Sequence, residues 1–313
     1  MKNIITAVAF LILTSITLAV PAKQPTLAVL PFQISPVIRT ETIGDLNISR
    51  TIVEKEFSNE LINFLTKSRK FNMLSRTEIA RVMDENMLTE SDWADPGQAN
   101  KMGRLLVADY LVTGTINRLE FQVIKQNIRI TGETAPRIVA TFKCQFQVID
   151  TSTGKIMFAD QTINRLKSID VRREIPASER KDWTLADFKD MLFAKTATQV
   201  GNAILAGVYP VKIIEVKNGK VVFNRGEGAG IKVGDKYNVI HQGDALIDVD
   251  TGEALGTSEE EVGIVQVTAV EVKFSKGKIL SGSDKIKYGD ICRLQEEPQK
   301  EAQAAYPKVN PGW

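Results

Sequence analysis

Chemistry at neutral pH has few side chains to draw on in this 313-residue sequence: one histidine, His241, and two cysteines, Cys144 and Cys292. Such an inventory cannot assemble a zinc site from His and Cys ligands, nor an ordinary Cys–His nucleophile pair. His241 stands in a strand pattern with no His or Cys neighbour and reads as structural. Gly226-Glu-Gly228-Ala-Gly230 has the composition of a phosphate loop. Such a loop needs a helix N-terminus behind its amides, and here a strand follows, so the glycines read as turn formers. Asp150-Thr151 and Asp250-Thr251-Gly252 invite comparison with the proton-sharing carboxylates of an aspartic protease. Their contexts are unlike, and Lys155 and Glu253 follow the local glycines as at hairpin tips. Asp248-x-Asp250-x-Gly252 lacks the glycine placement and the bidentate Glu of a calcium loop. Glu259-Glu260-Glu261 reads as a solvated face, available to a basic partner. No catalytic, cofactor-binding or metal site follows from these residues.

Charge and composition narrow the field further. Lys plus Arg is 40 against 38 for Asp plus Glu, a net charge of +2, which leaves no electrostatic footprint for nucleic acid. Hydrophobic residues at 43% and charged residues at 25% are ordinary globular values. Lys2 followed by the apolar run Ile4 to Val20 and the small-residue end Val20-Pro21-Ala22 reads as a signal peptide over residues 1–22, cleaved after Ala22. The site carries no cysteine to acylate, and no later stretch is long enough for a membrane helix. The expected product is exported, with its thiols in an oxidising compartment. Cys144 and Cys292 then either form a disulfide joining the two halves or act as two small buried hydrophobes, and the second reading is favoured.

The elements follow from periodicity. Thr26-Leu-Ala-Val-Leu-Pro-Phe32 is a buried strand ended by proline. Val53, Phe57, Leu61, Phe64 and Leu65 share a helical face over residues 50–67. Lys70 to Leu74 is a short strand, and Ser75 three before Glu78 is a capping box opening a helix with Ile79, Val82 and Met83. Asp95-Pro96 with Gln98 begins another helix, carrying Ala99, Met102, Leu105 and Leu106. Ala108 to Ile116 is a strand. From Arg118 to Arg165 the period is two, with Ile138, Ala140, Phe142, Cys144, Phe146 and Val148 on one side. Asp150 to Lys155 turns the chain back into Ile156–Thr162, and Arg165 to Asp182 is a charged loop. Thr184 and Asp187 cap a long helix with Phe188, Leu192, Val200 and Ile204 inward, stopped at Gly207.

Beyond Tyr209-Pro210 every signal is strand. Val211–Val216 and Lys220–Phe223 flank the turn Asn218-Gly219, a strong hairpin signal. Strands are expected at Lys236–His241, at Val262–Phe274, near Ile279 and at Ile291–Leu294. Short strands between turns in fewer than a hundred residues predict a small closed barrel. The tail from Glu296 is Pro, Gln, Glu and Ala rich and reads as unfolded.

Leu27-Ala-Val-Leu-Pro-Phe32, the Phe71–Arg76 step, Met102-Gly103 with Ala108-Asp-Tyr-Leu-Val-Thr-Gly114, and Val148-Ile-Asp150-Thr-x-Thr-Gly154 resemble the curli-secretion (CsgG) family and its TolB N-terminal-like relatives. Gly230-Ile-Lys-Val-Gly234-Asp, Ile247 to Gly256, Val262-Gly and Val267-Thr to Ser275 resemble the C-terminal domain of flagellar assembly protein T. The resemblance implies an α/β mixed-sheet domain at 23–208 and a small all-β barrel domain at 209–295, and composition makes 296–313 a disordered tail. It implies a non-enzymatic periplasmic scaffold or assembly factor without cofactors, peripheral to the outer membrane at most. Its expected partners are further copies of itself, up to a ring, and envelope or appendage proteins, with no nucleic acid. Strand addition along an edge carrying Phe142, Cys144 and Phe146 is the candidate oligomer interface; alternatively, the helix from Thr184 covers that face in a monomer.

Two departures from the curli pattern bear on the alternatives. The family's secretion proteins are lipoproteins that insert two β-hairpins per subunit into the outer membrane. This sequence lacks the acylated cysteine. Phe121 to Val148 supplies one such hairpin, but Arg165, Lys167, Asp170, Arg172, Arg173 and Glu174, and then Glu179 to Asp182, fill the second with charge at a few kcal/mol each. An outer-membrane channel for curli-like fibres is therefore the weaker alternative. Activation of a cell-wall synthase is the next, and hydrolysis the last.

Overall fold

The structure is a computed structural model that describes residues 24–38, 42–43, 46–47, 49–75, 77, 79–81, 106–127, 134–169, 171, 184–252 and 254–295. The expected signal peptide, Glu78 with Val82 and Met83, the helix from Asp95, most of the charged loop before Thr184 and the tail from Glu296 lie outside those residues. Among the described residues no helix is long and apolar enough to cross a membrane.

An apolar run can form a central strand only if both its faces are covered. β1 (Thr26–Val29) meets that condition, with Leu27, Ala28 and Val29 all buried. It pairs in parallel with β5 (Asn72–Met73) on one side and β6 (Tyr110–Asn127) on the other. β6, β7 (Thr134–Asp150) and β8 (Ile156–Lys167) form an antiparallel meander, giving the order β5-β1-β6-β7-β8. β2 (Gln33–Ile34) runs beside β6 further along, and β3 (Thr42–Ile43) pairs with β4 (Leu46–Asn47). β6 is twice the length read from the sequence because a register shift near Asn117 carries it onward, paired with β7 as far as Asn127 and Thr134.

Two helices cover one face of this sheet. α1 (Arg50–Ser68) opens at Ser49, whose hydroxyl accepts the Ile52 amide, and ends at Arg69 with φ 56°. Val53, Phe57, Leu61 and Leu65 stand four apart and are fully buried. Glu54 and Ser58, also four apart, accept the backbone N–H groups of Ile34 and Phe32 at 2.7 and 3.0 Å, so the helix satisfies amides of the chain between β1 and β2. α2 (Leu185–Val208) opens with the expected reciprocal cap between Thr184 and Asp187 and buries Phe188, Leu192, Phe193, Val200 and Ile204. Between the helices and the sheet, Phe57 lies 4.7 Å from Phe142 and 6.0 Å from Phe193, ring centre to ring centre. On the other face a smaller core joins Ala28, Leu30, Leu111 and Ile149 to Ile79, Leu106 and Ala108.

The remaining strands are β9 (Val211–Lys217), β10 (Lys220–Phe223), β11 (Lys236–Ile247), β12 (Ala254–Val270), β13 (Ser275–Ser281) and β14 (Ile291–Leu294). They pair in the cyclic order β10-β13-β12-β11-β14-β9. Asn218 and Gly219 both take positive φ, 51° and 71°, which the two-residue turn between β9 and β10 requires. Val211, Ile213, Val221, Phe223, Tyr237, Val239, Val265, Val267 and Cys292 fill the interior.

β11 and β12 differ from their expected extents. Instead of ending at His241 and beginning at Val262, they remain paired out to Ile247 and Ala254. Every described residue from Gln242 to Glu261 is exposed except the half-buried Asp248. This two-stranded arm is held by its own ladder rather than by burial, so the hydrophobic period carries no trace of it. The expected strand through Phe274 is broken at Glu271, whose N–H donates to the Phe274 carbonyl at 2.9 Å, and β13 begins after that turn.

Two glycines of the α/β half sit where space admits no side chain without a shift. A Cβ on Gly114 would lie 2.2 Å from the Phe32 ring, and one on Gly201 would lie 2.1 Å from the Phe64 ring that α1 presents to α2. Gly114→Ala and Gly201→Ala are each expected to lower stability by about 1–3 kcal/mol through overpacking. Urea melts check this, and a midpoint unchanged from wild type would contradict the packing described.

Candidate functional site

Phe142, Cys144 and Phe146 do not lie on a strand edge. They belong to β7, which is hydrogen-bonded on both sides, Cys144 facing Ile116 on β6 and Thr162 on β8. All three are buried in the main core beneath the helices. Two-residue periodicity shows that they share a face, but it cannot distinguish an interior strand from an outer one. As core residues they are not a contact surface for a second subunit; the described strand order ends at β5 and β8 instead.

Cys144 and Cys292 are free thiols and do not form the candidate disulfide. One lies in the core under the helices and the other inside the strand ring. Burial pushes both thiols up to about 12, with Asp290 adding to the effect at Cys292. His241 has a partner the sequence did not reveal: its Nδ1 lies 2.7 Å from Oδ1 of buried Asp290, which also accepts the Lys287 amide. The pair ties β11 to the turn before β14. Asp150 and Asp248 accept backbone N–H groups two and three residues on; the Ser152 hydroxyl and then these amides hold Asp150 below the ordinary range, and the Thr251 amide leads the same effect at Asp248. They are turn formers. No group of three His, Cys, Asp or Glu able to hold a metal occurs among the described residues.

The glycine loop after β10 has a larger role than turning the chain. Ala229 is fully buried within the α/β core, so this loop from the second half completes the first. Its neighbours Gly228 and Gly230, both with φ 77°, lie against α1 and α2. A Cβ on Gly228 would stand 2.7 Å from the Lys67 carbonyl oxygen, and one on Gly230 would stand 1.8 Å from Asn202 Oδ1. Neither position admits a side chain.

Arg225 anchors the same junction. Its guanidinium donates to the carbonyls of Leu205 and Tyr209, the last acceptors of α2. Lys70, just past the end of α1, donates to the Asn224 carbonyl and lies 5.7 Å over the Tyr209 ring. Burial, aided by Arg225, lowers Lys70; burial, partly offset by Tyr237, brings Arg225 down to about 10, so it stays charged at neutral pH. Two cations tolerate each other's company here because each lies at a helix C-terminus, where free carbonyls and the helix dipole supply negative potential.

Two recesses flank these features. The first, about 640 Å³, lies over β6, β7 and β8 and is lined by Thr113, Thr115, Gln145, Gln147 and Gln161. The second, about 700 Å³, lies between β8, α2 and the strand ring. Asn164, Thr196, Thr162 and Gln199 form a hydrogen-bonded polar seam between β8 and α2, and Gln199 and Thr162 reach the second recess. Arg225 Nε and Asn202 Oδ1 have no hydrogen-bond partner there among the described residues. These amides and hydroxyls can hold a ligand by hydrogen bonding, and Asp160 adds a carboxylate to the lining of both recesses.

The fold is a mixed sheet with two helices on one face, continued by a ring of strands. The curli production assembly/transport component CsgG family model matches residues 10–175, more than half of the chain, and the protein belongs to that family. No curated protein matches it by sequence. Similar solved structures include a hypothetical protein from Chlamydia trachomatis, 17% identical over 59% of this chain and 99% of that one, TM-score 0.36. The LpoB C-terminal domain from Salmonella enterica is 18% identical over 45% of this chain and 82% of that one, TM-score 0.29. A PelC dodecamer from Paraburkholderia phytofirmans is 13% identical over 55% and 83%, TM-score 0.25. These likenesses are too distant to carry a functional argument.

Two measurements check the site. Neither thiol is expected to react with iodoacetamide at pH 8 in the folded protein, and both should react in denaturant; mass spectrometry of labelled native protein with one adduct would place a thiol outside its core. Arg225→Ala removes the side-chain donor to the Leu205 and Tyr209 carbonyls at the end of α2 and is expected to cost about 2–3 kcal/mol. It should also open residues 206–211 to limited proteolysis, whereas an unchanged melt and digest would show that the arginine does not hold the junction.

Proposed function

We propose that the protein is a non-catalytic assembly component of the cell envelope, exported to the periplasm and bound there to copies of itself and to envelope or appendage proteins. Family membership across residues 10–175 is the observation that carries this reading. The placement of the chain's scarce reactive groups supports it: both thiols are packed into cores and the histidine is committed to a structural aspartate. Residues 23–208 and 209–295 are read as its two modules, the second likened to the C-terminal domain of flagellar assembly protein T. Ala229 and Arg225 make that second module a fixed attachment of the first.

Cell fractionation tests the reading. The chain is expected in the periplasmic fraction, or released from membranes by carbonate, and cross-linked in cells to itself or to envelope proteins. Recovery in the cytoplasm, or carbonate-resistant retention in the outer membrane as an inserted barrel, would overturn it.

A further inference from the structure

The β11–β12 arm is a strongly one-sided surface. Residues 242–261 hold seven acidic residues and no lysine or arginine. Near its tip it also exposes large apolar side chains, Leu246 at 50%, Val249 at 98% and Leu255 at 66%. A two-stranded ribbon with such residues in water buries nothing that would justify its length. Glu259 and Glu260 are paired with Arg293 and Lys285 at the base of the arm. Among the described residues Asp244, Asp250 and Glu261 make no ion pair.

The same strand ring carries a patch of the opposite charge. Lys217, Lys220 and Lys278 are directly opposite one another on the adjacent strands β9, β10 and β13. All three are exposed, and among the described residues none makes an ion pair. Like charges directly across a ladder repel, so this row costs stability unless something acidic meets it. Leu280, two residues beyond Lys278 and therefore on the same face, is 45% exposed and adds an apolar contact. The row starts on β13, beside β12, and runs through β10 to β9, whereas the arm is the outward continuation of β11 and β12, so the two are different patches of the strand ring.

We propose that the arm of one copy docks on the Lys217–Lys220–Lys278 row of the next, joining copies of this chain head to tail. Acidic side chains of the arm meet the lysines, and its apolar tip covers Leu280. A contact between two different patches repeats from copy to copy and closes into a ring where the rotation allows. The proposal rests on the assembly reading and names the surfaces that carry it.

Charge reversal in the full-length mature chain tests it, with mass read by light scattering at low salt over a range of concentrations. The wild type should grow beyond monomer mass, and 1 M salt should reverse this. The arm variant D244K/D250K/E261K and the row variant K217E/K220E/K278E should each remain monomeric, with melts like the wild type. Mixed one to one, the two reversed surfaces should attract again and the mass should rise. A wild-type monomer at every concentration would overturn the contact, as would a mixture that stays monomeric. If either variant assembles like the wild type, this contact fails while self-assembly, and the envelope reading with it, stands.

Discussion

The ring of Phe57 lies 5.1 Å from Phe32, 4.7 Å from Phe142 and 6.0 Å from Phe193, ring centre to ring centre. One side chain of α1 thus touches the turn after β1, the middle of β7 and the inner face of α2. Aromatic pairs at these separations add to the large apolar area that each ring buries. The same helix accepts two backbone amides through Glu54 and Ser58, so α1 fixes the β1–β2 chain by hydrogen bonds and the sheet by packing. With α1 seated, α2 can close only where Gly201 lets it past Phe64. The polar seam, the junction and the strand ring all take their positions from that closure.

Much of this arrangement is legible in the sequence because local rules and tertiary demands agree there. The fourfold spacing of Val53, Phe57, Leu61 and Leu65 marks the buried face of α1. Thr184 and Asp187 mark the start of α2, and Asn218-Gly219 marks the turn from β9 to β10. In each case a few neighbouring residues contain the whole physical reason for the element.

Features that depend on distant partners are hidden. Phe142, Cys144 and Phe146 reveal a shared face, yet only the pairing of β8 shows that β7 is interior. The His241–Asp290 pair spans residues whose relation is set by the register of β11 with β14. Gly228 and Gly230 read as turns because close approach to a helix leaves no local mark beyond the missing side chain. The arm escapes notice for a different reason: its strands are paired but unburied, so hydrophobic alternation never records them.

Ala229 has a consequence for the order of events during synthesis. The core beneath α1 and α2 is not complete until a residue more than twenty positions beyond the end of α2 has arrived. As the chain emerges from its N-terminus, the sheet and both helices are available first, with a gap at one end of their apolar interior. The loop that fills the gap is built on the end of β10, so the last step in consolidating the early half waits on a strand of the late half. The early half therefore reaches its final packing only with the late half in place.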